Sequence, residues 1–283
     1  MQKLYIVTGA NGHLGNTIVR TLVKQNLSVR AFILANDKDK MLKTLGVDVF
    51  KGDVRNKDSI KPLFDLSHTN FMPEDVIVIH TAGIVAITSK ISPLMEQVNV
   101  GGTMNLVDLA LENQVHRFIY ISSVHAIPEL NHGKIISEVN TFDPDLVMGG
   151  YAKTKAIATQ YVLDAIKKGL NGIIIHPSGI IGPNDYGLSH TTQMIEDYMN
   201  GKLTSRINGG YDFVDVRDVA SGVIQSTISG EVGVCYILSG HYVTIKELFD
   251  QLKFFSGKKR AIHVLPMWFA KMTAPLAEFY YKL

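Results

Sequence analysis

The chain has 283 residues, of which 46% are apolar and 19% are charged, and its formal net charge is +2. This composition predicts a folded protein with a sizeable core and excludes a chain that is disordered along its length. The few charges are scattered along the sequence, which argues against the clustered basic face that a nucleic-acid partner requires.

Short apolar runs alternate with helical patterns in the first part of the chain. The runs predict strands over residues 4–7, 29–34, 47–50, 76–80, 118–122 and 172–176. The clearest helical patterns cover residues 12–24, 93–113 and 149–168. Such alternation predicts an α/β fold with a Rossmann-type, doubly wound parallel sheet, whose ligand binds at the carboxyl ends of the strands.

The alternation weakens after residue 182. We expect residues 1–182 to form the Rossmann-type domain, to which a strand and a helix return near residues 211–240. Residues 183–283 are expected to form mainly a smaller, mostly helical substrate lobe. Residues 124–148 have no strong period, and we expect them to form a loop that lines the substrate site.

The chain contains one cysteine, Cys235, within an apolar run. A single cysteine cannot form a disulfide within a chain, so we expect a buried strand residue and a reducing compartment. The N-terminus has no signal-peptide pattern, and no apolar stretch is long enough for a membrane-spanning helix. These observations predict a cytoplasmic protein.

The first predicted strand ends in a glycine-rich loop that opens a helix. The loop residues that we expect to bind a dinucleotide are Gly9, Asn11, Gly12, His13, Leu14 and Gly15. Glycines let the backbone turn tightly and approach a pyrophosphate, and the first N–H groups of the helix then bind the phosphates. The spacing is Gly-x-x-Gly-x-x-Gly and differs from the Gly-x-Gly-x-x-Gly of common dehydrogenases.

Tyr151 and Lys155 are four residues apart and therefore share one face of a helix. A free tyrosine has a pKa of about 10, and a nearby ammonium group would lower it. Tyr151 would then act as a general acid or base at a carbon–oxygen bond during hydride transfer. Ser123, at the end of a predicted strand, would donate a hydrogen bond to the reacting oxygen.

The glycine loop, with Thr8 before it, resembles the cofactor loop of the extended short-chain dehydrogenase/reductase family. Further motifs of that family follow in order along the chain. They are Gly52-Asp53-Val54, His80-Thr81-Ala82-Gly83, Asn99-Val100-Gly101-Gly102-Thr103, Ser122-Ser123, Tyr151 with Lys155, the run from His176 to Pro183, and the run from Phe213 to Ala220. The family usually has Arg where His176 stands.

The resemblance implies which further residues contact the cofactor. These are Asp53, Val54, Thr81, Ala82, Gly83, Asn99, Ser122, Tyr151, Lys155, Pro177, Ser178, Gly179 and Ile180. It also implies that Ser123, rather than its neighbour Ser122, is the catalytic serine beside Tyr151 and Lys155. Relatives often dimerise through the helix that carries the tyrosine, so a homodimer is possible.

Three histidines lie at or just after the ends of predicted strands. We interpret His80 and His176, at strand ends, as structural residues. His125 lies on the same face as Ser123 if the strand continues, where it would line the substrate pocket, but an ordinary loop histidine fits equally well. We expect no metal site, because the sequence has no close cluster of ligand residues.

The end of the second strand normally selects between the cofactors NAD and NADP. An acidic residue there binds the 2′-hydroxyl of NAD, whereas an Arg nearby accepts the 2′-phosphate of NADP. Ile33 and Leu34 stand at that place, with Arg30, Lys38 and Lys40 in the neighbourhood. We therefore expect a slight preference for NADP over NAD.

The run after His176 resembles most the branch with dihydroflavonol reductases and cinnamoyl-CoA reductases. We predict an oxidoreductase for a small, largely apolar aldehyde or ketone, or the matching alcohol. One alternative is a nucleotide-sugar epimerase or dehydratase, although Val124 and His125 follow Ser123 where dehydratases usually have an acid. The second alternative is a dinucleotide-sensing regulator without catalytic activity.

Overall fold

The computed structural model describes residues 2–86, 88–130, 134–258, 262–268 and 272–273. Its strands, in chain order, are β1 (Leu4–Thr8), β2 (Ser28–Ile33), β3 (Asp48–Lys51), β4 (Val76–His80), β5 (Arg117–Ile121), β6 (Gly172–Pro177), β7 (Gly179–Ile181), β8 (Ser205–Ile207), β9 (Gly210–Asp215), β10 (Cys235–Leu238), β11 (His241–Thr244) and β12 (His263–Leu265). Its α-helices are α1 (His13–Lys24), α2 (Lys40–Thr44), α3 (Lys57–Ile60), α4 (Pro93–Glu96), α5 (Gly102–Glu112), α6 (Gly150–Lys167), α7 (His190–Asn200), α8 (Val216–Ser229) and α9 (Ile245–Ser256).

A seven-stranded parallel sheet forms the centre of the protein, with the strand order β10-β6-β5-β4-β1-β2-β3. Every residue of β1 and β4 is buried, as expected for strands that are covered on both faces. The chain builds outward from β1 to β3 and then crosses to the other side of β1 to form β4. The carboxyl ends of β1 and β4 are therefore the switch point at which α/β sheets bind ligands.

Two hydrophobic clusters cover the faces of this sheet. One cluster contains Ile18 of α1 and Val223 of α8, and the other contains Leu106 of α5 and Val162 of α6. Between α4 and α5 the helix continues through a π-helical segment, Gln97–Gly101, so the predicted helix over residues 93–113 is one continuous feature. The layered architecture confirms the predicted Rossmann-type fold.

The later part of the chain contributes more than helices. Helices α7 and α9 pack together, as a mostly helical lobe requires. Two short sheets, β11-β9-β7 and β12-β8, accompany them and were not indicated by the sequence. Strand β10 and helix α8 belong to the central sheet and its covering layer, and Cys235 is buried in β10. The tail over residues 274–283 lies outside the described residues.

None of the helices within the described ranges is long and apolar enough to cross a membrane.

Candidate active site

The glycine loop joins β1 to α1 at the switch point. Gly9 has a φ of +66°, and a Cβ added to it would lie 2.8 Å from the backbone of Ala82. A Cβ on Gly15 would collide with the carbonyl oxygen of Gly9, so both glycines are required by close packing. Leu14 is buried beneath the loop in the core.

The N-terminus of α1 is open to a ligand. Its N-cap residue is Gly12, and no side chain caps it. The N–H groups of the first helical turn are therefore left to bind a phosphate, which the positive end of the helix dipole also favours. This arrangement fits the pyrophosphate of a dinucleotide.

Side chains of the loop connect it to two distant segments. The amide of Asn11 donates to the Asp37 carboxylate at 3.3 Å and to the carbonyl oxygen of Lys38 at 3.0 Å. The Nε2 of His13 lies 3.1 Å from the carbonyl oxygen of Pro183. The loop is thus fixed to the segment after β2 on one side and to the segment after β7 on the other.

The end of β4 lies directly beside the glycine loop. The Thr81 hydroxyl donates to the carbonyl oxygen of Thr8 at 2.6 Å, and Ala82 N donates to the Thr8 hydroxyl at 3.4 Å. A Cβ on Gly83 would lie 3.3 Å from Asn99 Oδ1 and 3.7 Å from Lys155 Nζ. Gly83 therefore keeps the space in front of Lys155 free.

His80 is a structural residue, as the sequence indicated. It is fully buried, with Nδ1 2.7 Å from the Thr8 hydroxyl and Nε2 3.0 Å from the Thr103 hydroxyl. Burial lowers the pKa of His80 to about 3, so the ring is neutral at physiological pH. It links the start of the glycine loop to α5.

Asn99 positions the loop after β4 rather than presenting free donors. Its Oδ1 accepts from Ile84 N at 2.7 Å, and its Nδ2 donates to Ile84 O at 3.0 Å and to the Thr154 hydroxyl at 3.1 Å. The Thr154 hydroxyl in turn donates to the carbonyl oxygen of Tyr151. Asn99 lies in the π-helical segment, a feature that often marks functional sites.

The paired serines after β5 point in different directions. The Ser122 hydroxyl is buried and lies 2.7 Å from the hydroxyl of Thr159 on α6. Ser123, by contrast, faces the Tyr151 side chain and interacts with it, and its Oγ accepts from His125 N at 3.2 Å. The geometry thus supports Ser123 over Ser122 as the partner of Tyr151.

Lys155 lies under the site, one helical turn from Tyr151. It is buried, and its Nζ donates to the carbonyl oxygen of Ile121 at 2.7 Å and lies 4.9 Å from the centre of the Tyr120 ring. Burial lowers the pKa of Lys155 to about 7. Tyr120 is also buried, and burial raises its pKa, so it remains a neutral partner of the ammonium.

The pKa of Tyr151 differs from the expectation. Burial raises it to about 12, and the hydrogen bond with Ser123 opposes this rise only in part. The expected lowering by Lys155 is not seen, because the ammonium is directed to Ile121 and Tyr120. Tyr151 is therefore protonated at neutral pH.

His125 lines the site together with Tyr211. Its Nε2 lies 2.7 Å from the Tyr211 hydroxyl, and its ring stacks on Tyr211 and meets the Tyr151 ring edge-on at 6.1 Å between centres. His125 therefore lies beside Tyr151, but not because the strand continues. A 3₁₀ turn, Val124–Ala126, replaces the continued strand and turns His125 toward Tyr151.

The run from His176 to Ile180 forms the opposite wall. His176 is buried, stacks on Phe142 at 5.2 Å and has its Nδ1 2.9 Å from the carbonyl oxygen of Ser123. Pro177 ends β6, and Gly179 and Ile180 lie in β7, which pairs with β9. The Ser178 hydroxyl is buried and has no hydrogen-bond partner among the described residues, which suits a polar ligand group there.

At the far end of the switch point, the Asp53 carboxylate forms a two-pronged ion pair with Arg55, with an Nη2–Oδ2 distance of 2.6 Å. Val54 is buried against Gly102.

The Arg30 side chain does not face this end of the switch point, because its guanidinium donates to the carbonyl oxygens of Leu63 and Asp65. Arg30 therefore gives no support to NADP binding, and the preference for NADP stays a prediction.

Residues 6–224 match the model of the 3-beta hydroxysteroid dehydrogenase/isomerase family. The chain belongs to this family. It is 30% identical over 261 residues to sterol demethylase protein B of Methylococcus capsulatus, covering 92% of this chain and 77% of the relative. A putative dihydroflavonol 4-reductase of Synechocystis is 26% identical over 272 residues, covering 95% and 77%. The crystal structure of gox2253 has a TM-score of 0.83 at 28% identity and covers 100% of this chain and 83% of that chain.

Family membership confirms the resemblance to extended short-chain dehydrogenases/reductases. The chain is an NAD(P)-dependent enzyme, so the hypothesis of a regulator without activity is not supported. The open N-terminus of α1, the free space in front of Lys155 and the buried Ser178 hydroxyl all fit this family's cofactor.

Sequence reasoning missed Tyr211 and Phe142 as parts of the site. Tyr211 precedes Phe213, the first residue of a motif that the resemblance singled out, and this proximity was the available signal. Phe142 lies in the irregular segment before α6, where no pattern indicates that it stacks on His176.

Proposed function

We propose that this enzyme uses NAD(P)H to reduce a largely apolar aldehyde or ketone, or oxidises the matching alcohol with NAD(P)⁺. The observation that carries the proposal is the proximity of the Ser123 and Tyr151 side chains to each other and to the buried Lys155. These side chains provide a proton donor, a second hydrogen-bond donor and an ammonium in one place.

Tyr151 acts as the general acid in the direction of reduction. The phenol is protonated at neutral pH, as a proton donor must be, although burial raises its pKa to about 12 and makes it a weaker acid than a free tyrosine. Ser123 donates a hydrogen bond to the same oxygen and fixes its position. The cofactor, when bound, supplies the hydride, and Lys155, which lies behind Gly83, binds its ribose.

Aromatic and apolar side chains around Tyr151 support an apolar substrate. Phe213 packs edge-on against Tyr211 beside the site. Met148, three residues before Tyr151, is 86% exposed. Sterols and dihydroflavonols, which appear in the names of two relatives, are both compounds built of several rings.

The test is a screen of aldehydes and ketones with NADH and with NADPH, followed at the absorbance of the reduced nicotinamide. Tyr151→Phe should lower kcat/KM by about 10²- to 10⁴-fold, the usual contribution of a general acid. Tyr161→Phe is the matched control, since its hydroxyl is on the same helix but bonds to Asp108. An undiminished activity of Tyr151→Phe would show that the proposed mechanism is wrong.

The same protein should also be incubated with UDP-glucose. Conversion of the sugar without net oxidation of the cofactor, together with no reduction of any carbonyl, would replace the proposed function by that of an epimerase.

A further inference from the structure

His125 and Tyr211 form a polar pair that the proposed proton transfer does not use. Their 2.7 Å contact joins the turn after Ser123 to strand β9, and the stacked rings lie 5.8 Å apart. Residue His125 keeps part of its surface open to solvent, and Tyr211 is half-buried. A substrate bound at Tyr151 would therefore meet this pair.

The position of the pair is fixed from three sides. The backbone N–H of His125 donates to Ser123 Oγ at 3.2 Å, and the His125 ring meets Tyr151 edge-on. A Cβ on Gly179 would lie 2.7 Å from the Tyr211 ring, so this ring packs directly on the wall formed by β7. The pair thus lies between the proton donor Tyr151 and the wall formed by β7.

Besides the hydrogen bond between His125 and Tyr211, the pair has one further hydrogen-bond donor. If His125 Nε2 accepts from the Tyr211 hydroxyl, the Nδ1–H of the neutral ring is left over. If Nε2–H donates instead, the Tyr211 O–H is left over. Within the described residues, neither atom is bonded to another side chain.

The charge around the pair disfavours an anionic ligand. Burial lowers the pKa of His125, and burial raises the pKa of Tyr211 to about 12, so both rings are neutral at pH 7. The carboxylate of Glu129 acts on both rings, and that of Asp212 acts on Tyr211. A substrate carboxylate at this place would be repelled, whereas a neutral oxygen would accept a hydrogen bond.

We propose that His125 and Tyr211 are specificity residues that bind a second, uncharged oxygen of the substrate, a carbonyl or hydroxyl a few bonds from the carbon that is reduced. This inference rests on the proposed function and narrows its substrate class. It selects ketones with a neighbouring ester, ketone or hydroxyl group over simple ketones and over the corresponding keto acids.

The test compares three probes that share a pentyl ketone: methyl 3-oxooctanoate, the 3-oxooctanoate anion and nonan-4-one. We expect the enzyme to favour the ester over nonan-4-one by about tenfold in kcat/KM, the effect of one good hydrogen bond. It should also favour the ester over the anion. Tyr211→Phe and His125→Phe should bring the ester-to-nonan-4-one ratio close to one.

Tyr242→Phe is the matched control, because Tyr242 lies in β11 opposite Asp212 and should keep the ratio of the unmodified enzyme. A ratio that is unchanged in both Tyr211→Phe and His125→Phe overturns the inference. Equal use of the anion and the ester overturns it as well.

A binding measurement separates this inference from the proposed function. In protein labelled with ¹³C at histidine, the His125 signal is assigned by its loss in His125→Phe. If no probe is turned over, the proposed function fails, and the signal decides the inference alone. A shift with methyl 3-oxooctanoate plus oxidised cofactor, but not with nonan-4-one, supports the pair as a binding site. No shift with the ester overturns it.

Discussion

The ammonium of Lys155 donates a hydrogen bond of 2.7 Å to the carbonyl oxygen of Ile121 at the end of β5. The Tyr120 ring and this carbonyl are neutral partners, so they only partly replace the water that the ammonium loses on burial. The protein therefore holds Lys155 ready to titrate near neutral pH, at a pKa of about 7.

The free energy of unfolding should depend on the protonation of Lys155. The pKa of Lys155 is about 7 in the folded protein against a reference value of 10.5, so the unfolded chain binds more protons between these values. The free energy of unfolding should accordingly rise with pH from about 7 to about 10. Lys155→Met should remove this contribution, as measured by urea denaturation at pH 7, 8 and 9.

Lys153→Met is the control, because Lys153 is partly exposed on the same helix, near Asp145. The rise of the Tyr151 pKa acts only above pH 10 and leaves this window unaffected. Identical pH profiles for the unmodified protein and Lys155→Met would contradict the prediction.

The paired serines should separate catalysis from packing. Ser123→Ala should lower kcat/KM by about 10²- to 10³-fold, since it removes a donor to the reacting oxygen. Ser122→Ala should leave kcat/KM nearly unchanged and lower the free energy of unfolding by about 1 kcal/mol, through loss of its buried bond to Thr159. Steady-state kinetics and denaturation of both variants test this, and the reverse pattern would assign the catalytic role to Ser122.

Cofactor preference should respond to Asp37. Its carboxylate is held by Asn11 of the glycine loop, which brings a negative charge to the adenosine end of the site. Asp37→Ala should lower the KM for NADPH by about fivefold relative to that for NADH, because one repulsion on the 2′-phosphate is removed. Asp58→Ala, a like charge change at an exposed residue paired with Lys61, should leave the ratio of the two KM values unchanged.

Acid should destabilise the protein through its buried histidines. The pKa of His176 is lowered to about 4 by burial, against a reference of 6.5, so the unfolded chain binds more protons between these values. Stability should fall as pH drops from about 6.5 to about 4, and His80 adds to the same trend. His176→Asn keeps a donor near Ser123 O but cannot titrate.

The slope of the free energy of unfolding against pH, measured between pH 6 and 5, should be smaller in His176→Asn by up to about 1.4 kcal/mol per pH unit. His263→Asn, at an exposed position in β12, serves as the control. An equal slope in His176→Asn and the unmodified protein would show that His176 does not cause the acid sensitivity.

The features that were predictable from sequence are those fixed by local spacing. Buried β-branched runs identify the strands of the parallel sheet, and the glycine spacing identifies the loop at Gly9. Tyr151 and Lys155 share a helix, so their proximity follows from the helical period. The predictions of a homodimer and of a cytoplasmic location stay predictions.

The features that were not predictable depend on contacts distant in sequence. Tyr211 reaches His125 because β9 pairs with β7, and no local pattern records that pairing. The direction of the Lys155 ammonium depends on a carbonyl oxygen of β5, so the pKa of Tyr151 could not be inferred from its spacing to Lys155 alone. The short strands of the smaller lobe give too few residues for a clear alternation.

The contact between His13 and the carbonyl oxygen of Pro183 joins residues that are 170 positions apart in the sequence. During synthesis, His13 therefore leaves the ribosome well before Pro183. The glycine loop belongs to the first segment to be made, yet its other wall arrives only after β7, and the sheet is completed by β10 still later. A nascent chain that has folded only its first strands therefore carries the phosphate-binding motif without the wall that His13 contacts. Full affinity for the cofactor should consequently be acquired late in synthesis, which delays loading of the dinucleotide until most of the enzyme has folded.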